Sequence, residues 1–251
     1  MPSALITGAS SGIGLELARI FAREGYRVIL VARNQKRLEE IAQELCPAGA
    51  QALAIDLSLP GAAEEVHRRV PRVDVLVNNA GFSVFGKFGE NSLSEELNMM
   101  QLNITALVIL TKLYVAGMIA AGSGKIMNVA STAAFQPGPL MAIYYATKSF
   151  VLSFSEAIAN ELEGTGVTVT ALCPGPTATE FQERARMQNS GLVKGKKIMD
   201  ARTVAEAGYR GLMAGKTIVI PGIGNKVLAQ SYRFSPRSLI TKVVRQMQEE
   251  R

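Results

Sequence analysis

Short apolar runs alternate with helical stretches along most of the chain. Ser3 to Thr7 (SALIT), Arg27 to Ala32 (RVILVA), Ala50 to Leu57 (AQALAIDL), Val73 to Val77 (VDVLV), Lys125 to Ala130 (KIMNVA), Val167 to Cys173 (VTVTALC) and Lys216 to Pro221 read as strands. Val73 to Val77 is apolar but for Asp74, the mark of a parallel strand covered on both faces. Leu15 to Glu24, Leu38 to Leu45, Glu64 to Val70, Glu95 to Ala121 and Met141 to Gly164 read as helices. Strands alternating with helices, without an internal repeat or a low-complexity linker, predict a doubly wound parallel sheet in one α/β domain. At 251 residues and 48% hydrophobic content, the chain is long enough for one sizeable core.

The ends of these runs carry the candidate chemistry. The first strand closes in Thr7-Gly8-Ala9-Ser10-Ser11-Gly12-Ile13-Gly14, and a helix follows directly. Glycines there let the backbone turn tightly against a pyrophosphate, and the helix N-terminus offers it amide donors and partial positive charge. The spacing is Gly-x-x-x-Gly-x-Gly, not the Gly-x-Gly-x-x-Gly of the general dinucleotide fingerprint. That fingerprint places an acid about 20 residues on, for the adenosine ribose. Here Arg33 follows the second strand and no acid precedes Glu39. An arginine there can fork onto a 2′-phosphate, so NADP(H) is favoured over NAD(H). The competing reading makes Arg33, Lys36 and Arg37 a solvated helix start. Asp56, with Leu57 beside it at the third strand's end, can accept from an adenine amino group. Asn78-Asn79-Ala80-Gly81 and Pro174-Gly175-Pro176-Thr177-Ala178-Thr179 close the fourth and sixth strands, where a parallel sheet opens onto its ligand crevice.

Tyr144 and Lys148 lie one helical turn apart, so phenol and ammonium share a face. A cation beside a phenol lowers its pKa from about 10 and makes it usable for proton transfer. Alone, such a pair on a helix is usually just a surface contact. Ser131 lies thirteen residues earlier, and Asn103 interrupts an apolar helix, where it needs partners: either a packing amide with a water, or a kink and a proton path.

Thr7-Gly-x-x-x-Gly-x-Gly14, Asp56, Asn78-Asn-Ala-Gly81, Asn103, Ser131, Tyr144-x-x-x-Lys148 and Pro174-Gly175 together resemble the short-chain dehydrogenase/reductase family, in order and spacing, over about Ser3 to Gly222. The resemblance implies a seven-stranded Rossmann-type sheet in three α/β/α layers, a nicotinamide cofactor, and Asn103, Ser131, Tyr144 and Lys148 as catalytic residues. It points toward the broad cytosolic reductases of oxo compounds, including 3-oxoacyl and hydroxysteroid-type members. In that reading Tyr144 protonates the oxygen as hydride passes between nicotinamide C4 and the carbonyl carbon. Ser131 fixes that oxygen, Lys148 also binds the nicotinamide ribose, and Asn103 holds a water linking Lys148 to solvent. Tyr145 is a rival acid, and the offset from Ser131 selects Tyr144. The resemblance also implies a homodimer or homotetramer, paired through the long helix and the helix carrying Phe150, Phe154, Ile158 and Leu162.

Phe82, Val84, Phe85, Phe135, Leu140, Met141 and Phe181 are expected to wall the substrate site, which suits an apolar ketone or aldehyde. The segment 177–200, with Gly191, Gly195, Lys194, Lys196 and Lys197, reads as a mobile lid or a solvated loop; its lysines suit an acidic carrier or a CoA phosphate. Beyond Gly222, residues 223–251 form a basic extension, not a separate domain. Leu239, Ile240, Val243, Val244 and Met247 lie on one helical stripe with Lys242 and Arg245 off it. That helix is expected to pack on its own core ahead of a partner subunit or an anionic membrane surface. The net charge of +6 lies mostly in this tail and gives no case for nucleic acid. His67 is the single histidine and is expected to face solvent; Cys46 and Cys173 read as reduced structural thiols, so neither a zinc site nor a histidine-based triad is expected. With no apolar run of 18 residues and no signal-peptide pattern, the expected location is cytoplasmic.

Overall fold

The computed structural model describes residues 1–45, 49–179 and 198–249. Seven parallel strands form one sheet in the order β3-β2-β1-β4-β5-β6-β9. They are β1 (Ser3–Thr7), β2 (Arg27–Ala32), β3 (Gln51–Ala54), β4 (Val75–Asn78), β5 (Gly124–Val129), β6 (Val167–Leu172) and β9 (Ile218–Val219). The seven-stranded, doubly wound fold is the one the sequence predicts. β1 and β2 match their expected limits, whereas β3 stops short of Asp56 and β9 is only two residues long. A separate two-stranded parallel sheet pairs β7 (Thr177–Ala178) with β8 (Met199–Asp200). The lysines and glycines of the expected lid, and Phe181, lie outside the described residues, as does Cys46.

Alternating strand side chains build two cores. Ala4, Ile6, Val28 and Leu30 face α1 (Gly12–Arg23), α2 (Gln35–Glu44) and α7 (Ala201–Met213), meeting Phe21, Leu38 and Leu212. Leu5, Ile29 and Val31 face the other way, toward α3 (Ala62–Arg69) and α5 (Leu107–Ala120), meeting Val66, Leu110 and Tyr114. Burying each such large side chain stabilises the fold by roughly 1.5–3 kcal/mol. His67 is not turned to solvent. It is half-buried, edge-on to Tyr114 with ring centroids 5.0 Å apart. A polar ladder crosses this packing: Asn78 donates to Thr111 (3.0 Å) and Asn128 (2.9 Å), and Asn128 donates to Ser155 (2.9 Å). Asn78 is therefore a buried brace and not a crevice residue.

The long helix expected over Glu95 to Ala121 is composite. α4 (Leu93–Met100) passes into a π-helical turn at Gln101–Ala106 and then into α5. Asn103 sits in that turn, so the register change falls at the buried polar residue. Leu93–Ala120 is also long and apolar enough to cross a membrane, with a mean hydropathy of 1.8 over its most apolar window. Here one face of it covers the sheet through Leu107, Leu110, Tyr114 and Met118. α6 (Ala142–Glu161) carries Tyr144 and Lys148 in its first turns; Leu162 just beyond it enters the sheet core, while Phe150 stays exposed and stacks on Phe154. After β9 come α8 (Ile223–Ser231) and α9 (Arg237–Gln248).

Candidate active site

A cleft of about 1220 Å³ opens at the carboxyl ends of the strands, where doubly wound sheets place their ligands. At one end Gly8 and Gly12 take φ of 66° and 56°, which only glycine adopts freely. No side chain caps α1, so its first amides remain available to an anion. Thr7 fastens this turn from below: its hydroxyl accepts from the amides of Asn79 and Ala80, each at 3.0 Å. Asn79 in turn donates to the carbonyls of Thr7 (2.9 Å) and Gly8 (3.2 Å). A side chain at Gly14 would collide with the Gly8 carbonyl and Asn79, so the close approach requires glycine there. This cradle fits a pyrophosphate.

Arg33 lines the cleft, is exposed, and makes no ion pair among the described residues, while its neighbour Arg37 pairs with Glu40 at 3.1 Å. Asp56 lines the cleft beside Leu57, and its Oδ1 accepts from the amide (3.0 Å) and hydroxyl (2.7 Å) of Ser58. Ser10, Ser11, Ile13, Asn79, Ala80, Gly81, Pro174, Gly175, Thr177 and Thr179 also reach the cleft. Thr7, Gly14 and Asn103 do not line it. Their contribution is to hold the groups that do.

At the centre, Ser131 hydrogen-bonds the Tyr144 hydroxyl. Lys148 is buried, donates to the Val129 carbonyl at 2.8 Å, and sits 5.8 Å from the Tyr144 ring centroid. The electrostatics differ from the expectation that the lysine makes this phenol acidic. Burial pushes Tyr144 up to about 12, opposed by the Ser131 hydrogen bond. Burial likewise lowers Lys148 to about 8, partly opposed by Cys173. Desolvation wins because both groups are removed from water together, and each disfavours its own charged form. Cys173 lies behind this pair as a buried free thiol, its pKa pushed by burial up to about 12.

Asn103 is 1% exposed, and both of its amide protons are engaged. Its Oδ1 accepts from the Phe82 amide (3.1 Å), and its Nδ2 donates to the Phe82 carbonyl (3.0 Å) and to Thr147 (3.2 Å). With both amide protons used, the side chain orders the loop after β4 instead of presenting a free donor to water. Gly81 passes so close that a Cβ there would lie 2.9 Å from Asn103 Oδ1 and 3.7 Å from Lys148 Nζ.

Of the predicted apolar wall, Phe82 and Met141 line the cleft. Val84 and Phe85 pack behind them, and Phe135 turns into a separate cluster with Ala134 and Val151. Leu140 takes a φ of 65°, and its carbonyl accepts from Gly86 at 2.9 Å. Gln136, within the expected stretch from Phe135 to Met141, lines the cleft as well, and more of the wall comes from residues that the sequence does not single out for the site: Asn225, Leu228 and Tyr232, together with Val244 and Met247 of α9. The amphipathic stripe signals Val244 and Met247 but not what they cover. Its buried face is Ile240, Val244 and Gln248, while Leu239 and Val243 are exposed. Among the described residues no cluster could hold a metal ion.

Comparison with known proteins agrees with this geometry. A family model described as short chain dehydrogenase matches residues 2–190. Ketoacyl reductase HetN of Nostoc is 35% identical over 177 residues, spanning 68% of this chain and 62% of the relative. A short-chain dehydrogenase from Sphingobium yanoikuyae, solved with NADPH, is 33% identical with a TM-score of 0.85, covering 95% of each chain. A short chain dehydrogenase/reductase from Burkholderia phymatum, solved with NAD, is 21% identical at a TM-score of 0.80 over 91% of this chain and 92% of its own, and shows the shared fold alone. The chain belongs to the short-chain dehydrogenase family of nicotinamide-dependent oxidoreductases.

Proposed function

We propose that the protein is an NADP(H)-dependent carbonyl reductase acting on apolar ketones, aldehydes or 3-oxoacyl compounds. The observation that carries this reading is the convergence of Ser131, Tyr144 and Lys148 on one cleft, with the glycine turn at its far end. The glycine turn and the start of α1 would hold the pyrophosphate, Arg33 the 2′-phosphate, Asp56 the adenine, and Lys148 the nicotinamide ribose. Bound there, a reduced nicotinamide supplies the hydride. Ser131 then orients the substrate oxygen, and Tyr144 donates its proton as negative charge develops on it.

The raised pKa of Tyr144 suits it to the role of proton donor. A phenol held near 12 stays protonated at neutral pH and is ready to donate. An alkoxide is a stronger base than a phenolate, so the transfer remains downhill. Alcohol oxidation needs the phenolate, which burial opposes.

Arg33 supports the cofactor choice, because an exposed guanidinium, with no ion pair among the described residues, lines the cleft where NAD-binding sequences carry an acid. The likeness to a short-chain dehydrogenase solved with NADPH, at 33% identity, points the same way. The test is consumption of NADPH, followed by absorbance, with cyclohexanone, 2-decalone, an aromatic aldehyde and a 3-oxoacyl thioester. Turnover of at least one carbonyl compound, faster with NADPH than with NADH, is the expected result. No turnover of any of them, or equal use of NADH, overturns the reading.

A further inference from the structure

Gln248 stands at the end of α9 and is fully buried, unusual for a glutamine side chain. Its Nε2 donates to the Tyr145 hydroxyl at 2.8 Å, a contact between residues 103 apart. Tyr145 is also pinned from other sides. Its ring lies flush on Gly138, where no side chain would fit, and meets the Tyr144 ring edge-on at 6.1 Å. One turn and two turns before Gln248, Val244 and Ile240 are buried in the cluster that holds Met99, Ala133, Met141, Tyr144 and Tyr145. Val244 and Met247 line the cleft that also holds Ser131, Tyr144, Leu228 and Tyr232.

Taking ketone reduction at Tyr144 as the reaction, we propose that Gln248 is a positioning residue that latches α9 onto Tyr145 and so sets the substrate range. The latched helix is the substrate-side wall. A ketone whose apolar arm reaches Val244 and Met247 gains contact there, while a small ketone bound near Ser131 and Tyr144 does not. The same hydrogen bond assigns different work to two adjacent phenols: Tyr144 faces Ser131, and Tyr145 is held by the last turn of the chain.

The test uses full-length wild type, Gln248→Leu, Tyr145→Phe and the double variant. Kinetics are measured with cyclohexanone and 2-decalone at saturating NADPH. Gln248→Leu is expected to raise KM for 2-decalone about tenfold, in keeping with loss of a buried hydrogen bond, and to leave kcat for both ketones and KM for cyclohexanone within about twofold. Tyr145→Phe should do the same, and the double variant should be no worse than either single one, since both remove one contact. Equal losses for both ketones, additive losses, or weaker NADPH binding overturn the proposal. Amide hydrogen exchange over residues 237–249 reads the latch without turnover. Faster exchange in both single variants is expected, and unchanged exchange overturns the latch. Wild type that reduces neither ketone, and neither the aldehyde nor the thioester, contradicts the reductase reading, while the exchange result still decides whether the latch exists.

Discussion

At one end of the cleft, Gly8, Ser10, Ser11, Gly12 and Ile13 follow one another in sequence and offer mainly backbone to a ligand. At the other end, Tyr145, Leu228, Tyr232, Val244 and Met247 arrive from separate elements, and Tyr145 meets its partner Gln248 across 103 residues. The first end depends on conformations that glycine adopts without strain and on amides at a helix start, so it is confined to one contiguous stretch. The second depends on packing, and many apolar side chains can fill such a wall. The difference teaches that a surface built from backbone conformation can be read locally, while a surface built from packing is assembled from segments far apart in the sequence.

Two substitutions probe how separable the two ends are, and a third probes stability. The largest effect is expected between them: Ser131→Ala should lower kcat about a hundredfold, because it removes a donor aimed at the developing oxyanion, with NADPH affinity unchanged by titration. A matching loss of NADPH binding would place Ser131 with the cofactor end. Next, Arg33→Asp should shift the ratio of kcat/KM for NADPH over NADH by about thirtyfold toward NADH, through loss of a charge-assisted pair and gain of a repulsion. The preference between cyclohexanone and 2-decalone should stay as in wild type. An unchanged cofactor ratio would remove Arg33 from the site, and a changed ketone preference would show the two ends to be coupled.

The smallest effect concerns stability. Lys148 has a folded-state pKa of about 8, below the 10.5 of a free lysine. Between those values the unfolded chain holds more protons than the folded one, so stability due to this group rises with pH through that window. The difference in Tm between wild type and Lys148→Met should therefore be flat below about pH 8 and climb by a few degrees toward pH 10. A difference that falls or stays level would mean that Lys148 keeps its charge without penalty.

The comparison also explains what was legible in the sequence. β1, β2, the glycine turn, Ser131, Tyr144 and Lys148 were readable because each rests on local geometry: an apolar run, a positive φ, or one helical turn. Asn103 was visible as a polar break in an apolar helix, and the break is a π-helical turn; that its amide is used on Phe82 and Thr147 depends on two other segments. Asn78 looked like a crevice residue from its place at a strand end, but its partners Thr111 and Asn128 lie on other elements. The acidity of Tyr144 was misjudged for a related reason. Spacing shows that a lysine shares its face but not that both groups are desolvated. Gln248 carried no signal at all, since a glutamine near the end of a basic amphipathic helix reads as exposed.

The central claim is that of two adjacent phenols only Tyr144 moves the proton. It is tested most directly by single-turnover reduction of a ketone by NADPH in Tyr144→Phe and Tyr145→Phe, with NADPH affinity measured in parallel. Loss of about a thousandfold or more in Tyr144→Phe, with NADPH still bound and Tyr145→Phe within a few-fold of wild type on cyclohexanone, is the predicted result. Comparable losses in the two variants would contradict it.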